Sequence, residues 1–138
     1  MGGERLVRRF YAELWNDWRL DVADEILAED IEFRGSLGSV EHGRVAFKRY
    51  AERVRAAFPD WHNQVDELFE AGDRVVARLT WSGTHRGPLG DVAPTGNRVS
   101  YVGVGLFTVS DDLIQRAWIV GDTQELWRAL GRLGPQPS

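Results

Sequence analysis

At Trp61 the hydrophobic repeat of this chain changes from a helical period to strict alternation, and no other feature restricts its fold as much. Before that point Leu6, Val7, Phe10, Tyr11, Leu14, Trp15 and Trp18 recur at helical spacing, predicting an amphipathic helix over 4–18 with Arg8, Arg9 and Glu13 outside. A short helix with Asp21 as its N-cap and Val22, Ile26 and Leu27 on one face comes next, then a strand over 30–34. Gly43 precedes a third helix carrying Phe47, Tyr50, Ala51, Val54 and Phe58, and Pro59 stops it. Beyond Trp61, strands over 61–70 and 74–86 meet at Gly72-Asp73, a pair suited to a tight hairpin. A loop over 87–97 leads to strands over 98–109 and 113–121, joined at Asp111-Asp112, and a helix over 123–133 closes the fold. Helices followed by antiparallel hairpins predict an α+β domain over 1–133, with helices on one face of a curved antiparallel sheet and a flexible tail over 134–138. The concave face of such a sheet should hold a cavity.

Composition narrows the function. The 138 residues suit one domain, and a net charge of −4 supplies no basic footprint for nucleic acid. No apolar run reaches the roughly 18 residues a membrane span needs. The opening Met1-Gly2-Gly3-Glu4-Arg5-Leu6 lacks an apolar signal core and the myristoylation pattern, so a cytoplasmic protein is expected. With no cysteine, and with His42, His62 and His85 far apart, no metal or thiolate site is expected. Lys48 is the single lysine, which leaves little room for Schiff-base chemistry. No glycine-rich phosphate loop runs from a strand into a helix, and Ser82 and Thr84 lack a base at triad spacing, so no cofactor is expected.

The hairpins point to carboxylates. A two-residue turn at Asp111-Asp112 would pair Tyr101 with Asp122, Gly103 with Val120, Gly105 with Trp118 and Phe107 with Arg116. Asp122 would then share a face with Trp118 and Tyr101, beside a gap left by Gly103 and Gly105. Those glycines serve equally to bend the sheet or to make room for Trp118. In the first hairpin the same rule sets Asp66 opposite Leu79 and Gln64 opposite Trp81 on the more apolar face, with Glu67 opposite Arg78 on the other. A carboxyl among Leu and Trp has a raised pKa useful for general acid work, whereas a one-residue bulge would exchange Asp66 and Glu67, and a solvated strand-edge acid is the plainer reading of both. His85 at a strand end is placed either to donate to a ligand or to bond within its loop. Of six tryptophans, Trp61, Trp81 and Trp118 fall in strands that would wall the cavity.

Several stretches together resemble the SnoaL-like polyketide cyclases of the nuclear-transport-factor-2-like superfamily: Phe58-Pro59-Asp60, Gly72-Asp73-Arg74-Val75-Val76, Gly83-Thr84-His85-Arg86-Gly87, Pro94-Thr95-Gly96, Trp118 with Asp122, and Leu130-Gly131. The resemblance implies a cone-shaped barrel, usually dimeric, around a deep apolar pocket, with an aspartate at the Asp122 position acting as acid or base and neither metal nor organic cofactor. It departs in three places. Ala117 stands where a His or Glu often precedes the strand tryptophan, Ser110-Asp111-Asp112 replaces an Asp-Gly-Lys turn, and 99–106 lacks the Arg and Asp of the limonene epoxide hydrolase relatives. The expectation is a cofactor-independent cyclase of a polyketide-like intermediate in natural-product, for instance antibiotic, biosynthesis. Asp122 moves the proton, Trp61, Trp81, Tyr101 and Trp118 shape the cavity, and His85 binds a substrate oxygen. The alternatives are an epoxide-opening or ether-forming cyclase pairing Asp122 with Asp66 or Glu67, and a small-molecule binder without turnover. A homodimer is expected, because one layer of helices leaves the other sheet face in need of cover.

Overall fold

The computed structural model describes residues 2–132. The first helical stretch divides in two: α1 (Gly3–Arg9) runs into a π-helical segment, Phe10–Asn16. There the backbone turns more widely, and Asp17 N–H bonds to the Ala12 carbonyl at 3.0 Å. A 3-10 turn, Leu20–Val22, leads into α2 (Ala23–Ile26); Asp21 lies inside that turn, and no side chain caps it. The third helix, α3 (Arg44–Ala57), starts after Gly43, whose φ of +93° suits glycine, and buries Phe47, Tyr50, Ala51 and Val54. The last, α4 (Thr123–Ala129), is shorter than expected. The expected tail lies outside the described residues.

Six strands form one sheet: β1 (Leu27–Arg34), β2 (Val40–His42), β3 (His62–Ala71), β4 (Arg74–Thr84), β5 (Arg98–Ser110) and β6 (Leu113–Gly121), in the order β2-β1-β6-β5-β4-β3. The short β2 was not anticipated. The sheet is also mixed rather than wholly antiparallel, because β1 runs parallel to β6. These two strands are joined by most of the chain, so no hairpin dictates their direction.

Both long hairpins keep the register of their turns only as far as a bulge. From Ala71↔Arg74 to Glu67↔Arg78 the pairing obeys Gly72-Asp73; Asp66 is then left over, and Val65 faces Leu79 while Asn63 faces Trp81. From Ser110↔Leu113 the second hairpin obeys Asp111-Asp112, both at positive φ, but after Val109↔Ile114 it slips by one residue at Gln115. Leu106 therefore faces Trp118, Gly105 faces Ile119 and Gly103 faces Gly121. The expected pairs of Tyr101 with Asp122, Gly103 with Val120, Gly105 with Trp118, Phe107 with Arg116, Asp66 with Leu79 and Gln64 with Trp81 do not form.

One extra residue turns every later side chain to the opposite face. Val75, Ala77, Leu79, Trp81, Tyr101, Phe107, Ala117 and Ile119 are buried, in one core with Val7, Phe10, Leu14 and Phe47. Val102, Val104, Leu106, Trp118 and Val120, their neighbours along β5 and β6, are 36–54% exposed on the other face.

Candidate functional site

The inner face of the sheet and the helices enclose a narrow cavity, with about 40 Å³ open to the centre of a water-sized sphere. Trp81, Tyr101 and Ile119 form the sheet side, and Phe10, Tyr11 and Trp15 form the wall opposite. Phe33, Tyr50, Phe58 and Trp61 close the flanks, while Ser36, Leu37 and Leu89 stand at loops. A second opening lined by Leu37, Tyr50, Val54 and Leu89 as well as Arg53 and Pro88 adjoins the first.

Glycines shape this floor. Gly103 and Gly121 are cross-strand partners beneath the Trp81 indole, and a Cβ at Gly121 would lie 2.7 Å from Trp81 Cζ3, with Gly103 leaving even less room. Gly105 is filled differently, since a Cβ there would meet Phe107, Ile119 and, at 3.1 Å, the Tyr11 hydroxyl. The glycines thus admit Trp81 and Tyr11 rather than opening space beside Asp122 or for Trp118. The Trp81 and Tyr101 rings stand 5.2 Å apart, Trp61 and Tyr101 6.1 Å apart, and Phe58 and Trp61 5.1 Å apart, making one aromatic run.

The polar groups in this lining are neutral. Tyr101 Oη lies 3.2 Å from Ser36 Oγ. Asn63 is clamped by Asn16: the Asn16 amide donates to the Asn63 carbonyl at 2.8 Å, while Asn63 N and Nδ2 donate to Asn16 Oδ1 at 2.8 and 3.1 Å. Burial raises the pKa of all three cavity phenols, pushing Tyr101 up to about 12 against its bond to Ser36, and Tyr11 and Tyr50 further. All three stay protonated at any ordinary pH. Among the described residues no Asp, Glu, His, Lys or Arg lines this cavity.

Of the residues singled out from sequence, Trp61, Trp81 and Tyr101 come together in the cavity and the others do not. Asp122 is exposed and caps α4, accepting from Glu125 N–H at a long 3.3 Å, although it lies between the lining residues Ile119 and Leu126. Trp118 is on the outer face, 46% exposed, with the Arg34 guanidinium 4.8 Å above its ring. Asp66, displaced by its bulge, accepts from Thr80 Oγ1 and Gln64 Nε2, each at 2.6 Å. Those two bonds, Thr80 first, lower its pKa, the opposite of what a site among Leu and Trp would do. Glu67 does face Arg78, at 3.3 Å, but outside the cavity. The carboxylate pair that an epoxide-opening or ether-forming reaction would use is therefore not assembled.

His85 is fully buried behind Phe58, ring centroids 5.5 Å apart, and is not part of the cavity lining. Its Nδ1 accepts from Thr95 N–H at 3.1 Å, pinning the loop, and burial lowers its pKa against a smaller opposing contribution from the Gly87 main chain. Sequence reasoning passed over Tyr11, Tyr50, Ser36 and the Asn16–Asn63 clamp. Two hydroxyls on otherwise apolar helical faces were the available signal for the tyrosines.

No helix among the described residues is long and apolar enough to cross a membrane, and no three of their His, Asp or Glu side chains gather as a metal-binding group. The profile of the SnoaL-like polyketide cyclases matches residues 5–130. TsrD from Streptomyces laurentii is similar in structure with a TM-score of 0.82 and 29% identity, covering 94% of each chain. AclR from Streptomyces galilaeus, a candidate hydroxylase, has a TM-score of 0.80 and 28% identity over 97% of this chain and 87% of its own. A candidate SnoaL-like polyketide cyclase from Jannaschia sp. CCS1 shares the fold with a TM-score of 0.85 at 23% identity, over 96% and 92% of the two chains. No curated protein matches the chain.

Proposed function

The chain belongs to the SnoaL-like polyketide cyclase family, and from that premise we propose that it closes a ring in a polyketide-like intermediate held in the aromatic cavity, without a cofactor. The observation that carries this reading is the cavity itself, with apolar rings on every side and a few neutral hydroxyls and amides among them. Such a surface folds a flexible, oxygen-bearing chain into a reactive shape, and orientation is a large part of the barrier to ring closure. Asp122 is the proposed proton carrier, taking a proton from the carbon that becomes nucleophilic and returning one to the oxygen of the attacked carbonyl. For this its carboxylate leaves the long bond to Glu125 N–H and turns towards the cavity when ligand is bound. The reading includes a cytoplasmic homodimer paired through the apolar outer face of β5 and β6.

Asp122→Asn tests it, because asparagine keeps the cap and removes the proton transfer. Expected are an almost unchanged Tm and a turnover about two to four orders of magnitude lower. A product carrying an added oxygen atom would contradict cyclisation. The second reading, a binding protein without turnover, is favoured by the absence of any ionised side chain from the lining among the described residues. Tight binding with turnover unaffected by Asp122→Asn, Asp66→Asn and Glu67→Gln would put it ahead.

A further inference from the structure

Two buried side-chain atoms have no hydrogen-bond partner among the described residues, Tyr11 Oη and His85 Nε2. Their surroundings differ. His85 sits behind Phe58, outside the cavity lining, whereas Tyr11 is part of the cavity wall. Tyr11 is 3% exposed, and its ring is held edge-on by Phe10 at 4.9 Å and by Phe107 at 5.9 Å. Its hydroxyl is over Gly105, where any side chain would crowd it. The residue also belongs to the π-helical segment, a backbone form that departs from the α-helix around it and recurs at functional sites. A polar group kept at such a place without a partner is costly to the folded protein and calls for an explanation.

We infer that the Tyr11 hydroxyl is the donor to a carbonyl or enol oxygen of the bound ligand, and that the ligand is neutral at the part lodged deepest in the cavity. This rests on the cavity being the ligand site. Burial keeps the phenol protonated, so it offers an O–H to an acceptor and cannot act as a phenolate base. A carboxylate or an ammonium buried there would find no opposite charge, since none lines the cavity among the described residues. The fitting class is an unsaturated, largely apolar skeleton bearing ketone or enol oxygens.

Matched probes test this on the full chain: 2-acetonaphthone, 2-ethylnaphthalene of nearly the same shape, and 2-naphthoate. Wild-type protein should bind the ketone roughly five- to tenfold more tightly than the hydrocarbon, the size of one neutral hydrogen bond, and the carboxylate most weakly. The carbonyl stretch of the bound ketone should move to lower wavenumber. In Tyr11→Phe the preference and the infrared shift should both vanish, with Tm unchanged or higher because the orphan hydroxyl is gone. A preference and shift that persist in Tyr11→Phe overturn the inference while leaving the cavity reading intact. So does a Tm loss above about 5 °C, which would assign the hydroxyl a structural partner. Failure of the wild type to bind either the ketone or the hydrocarbon overturns the cavity reading and the inference together.

Discussion

The two faces of strands β4, β5 and β6 are built from alternate residues of the same segments, yet they have been put to opposite uses. Inward, Trp81, Tyr101, Phe107 and Ile119 are packed among glycines whose missing side chains are replaced by rings from elsewhere in the chain. Outward, Val102, Val104, Leu106, Trp118 and Val120 remain exposed, together with carboxylates already engaged by Thr80, Gln64 and Arg78. Residue type alone does not separate the faces. Tryptophan and valine occur on both, and two single-residue bulges, at Asp66 and Gln115, decide which side chains meet the cavity.

The two faces differ most sharply at Gly103. A methyl group there collides with Trp81 and the Val120 carbonyl, so Gly103→Ala should cost about 3 kcal/mol, roughly ten degrees of Tm. Truncating its outward neighbour in Val104→Ala should cost the isolated fold only about 0.5 kcal/mol. Thermal melts of the two variants side by side check this, and equal losses would mean the faces are not so different. Next in size is the outer face as an interface. Trp118→Glu should weaken self-association more than tenfold, read by light scattering at micromolar concentration, with unchanged far-UV circular dichroism. A wild type that is monomeric at that concentration, or a variant as dimeric as the wild type, would show that the exposed stripe is not the contact. The smallest effect belongs to His85. Burial holds its pKa in the folded protein below the ordinary 6.5, so as the pH falls past that value the unfolded chain takes up the proton first. Stability is therefore complete above about pH 6.5 and declines on the acid side. Melts between pH 8 and 5 should show Tm falling in wild type and falling less in His85→Gln.

Much of the helical half was legible because its apolar positions repeat over many residues, and a turn more or less changes little. The hairpin turns were legible too, at Gly72-Asp73 and Asp111-Asp112, and so were the residues paired next to them. The distance over which each register holds could not be read. Nothing local distinguishes Gln115 or Asp66 as a bulge residue, since the bulge is favoured by the side chains that the rest of each strand then buries. With the slip at Gln115, Ala117 and Ile119 enter the core and Trp118 leaves it. The sequence reading of Asp122 as a face-mate of Trp118 and Tyr101 failed for that reason. Trp61, Trp81 and Tyr101 line the cavity, Trp81 and Tyr101 from the inner face of their strands and Trp61 from just ahead of β3 rather than from a strand.

The wide-turned stretch Phe10–Asn16 gives the cavity an unusual route of change. Substitutions trim or enlarge a wall one side chain at a time, but a π-helical turn holds a residue more than an α-helical turn does. Losing one residue between Ala12 and Leu14 lets the backbone relax into a plain α-helix, and because the wide turn absorbs its extra residue locally, the side chains beyond it keep nearly the same facing. Trp15 would stay in the wall and Asn16 on the clamp of Asn63, while the bulged backbone that carries Tyr11 would draw in. A change of one residue in the length of this helix would thus reshape the chamber locally, with the rest of its wall left in place.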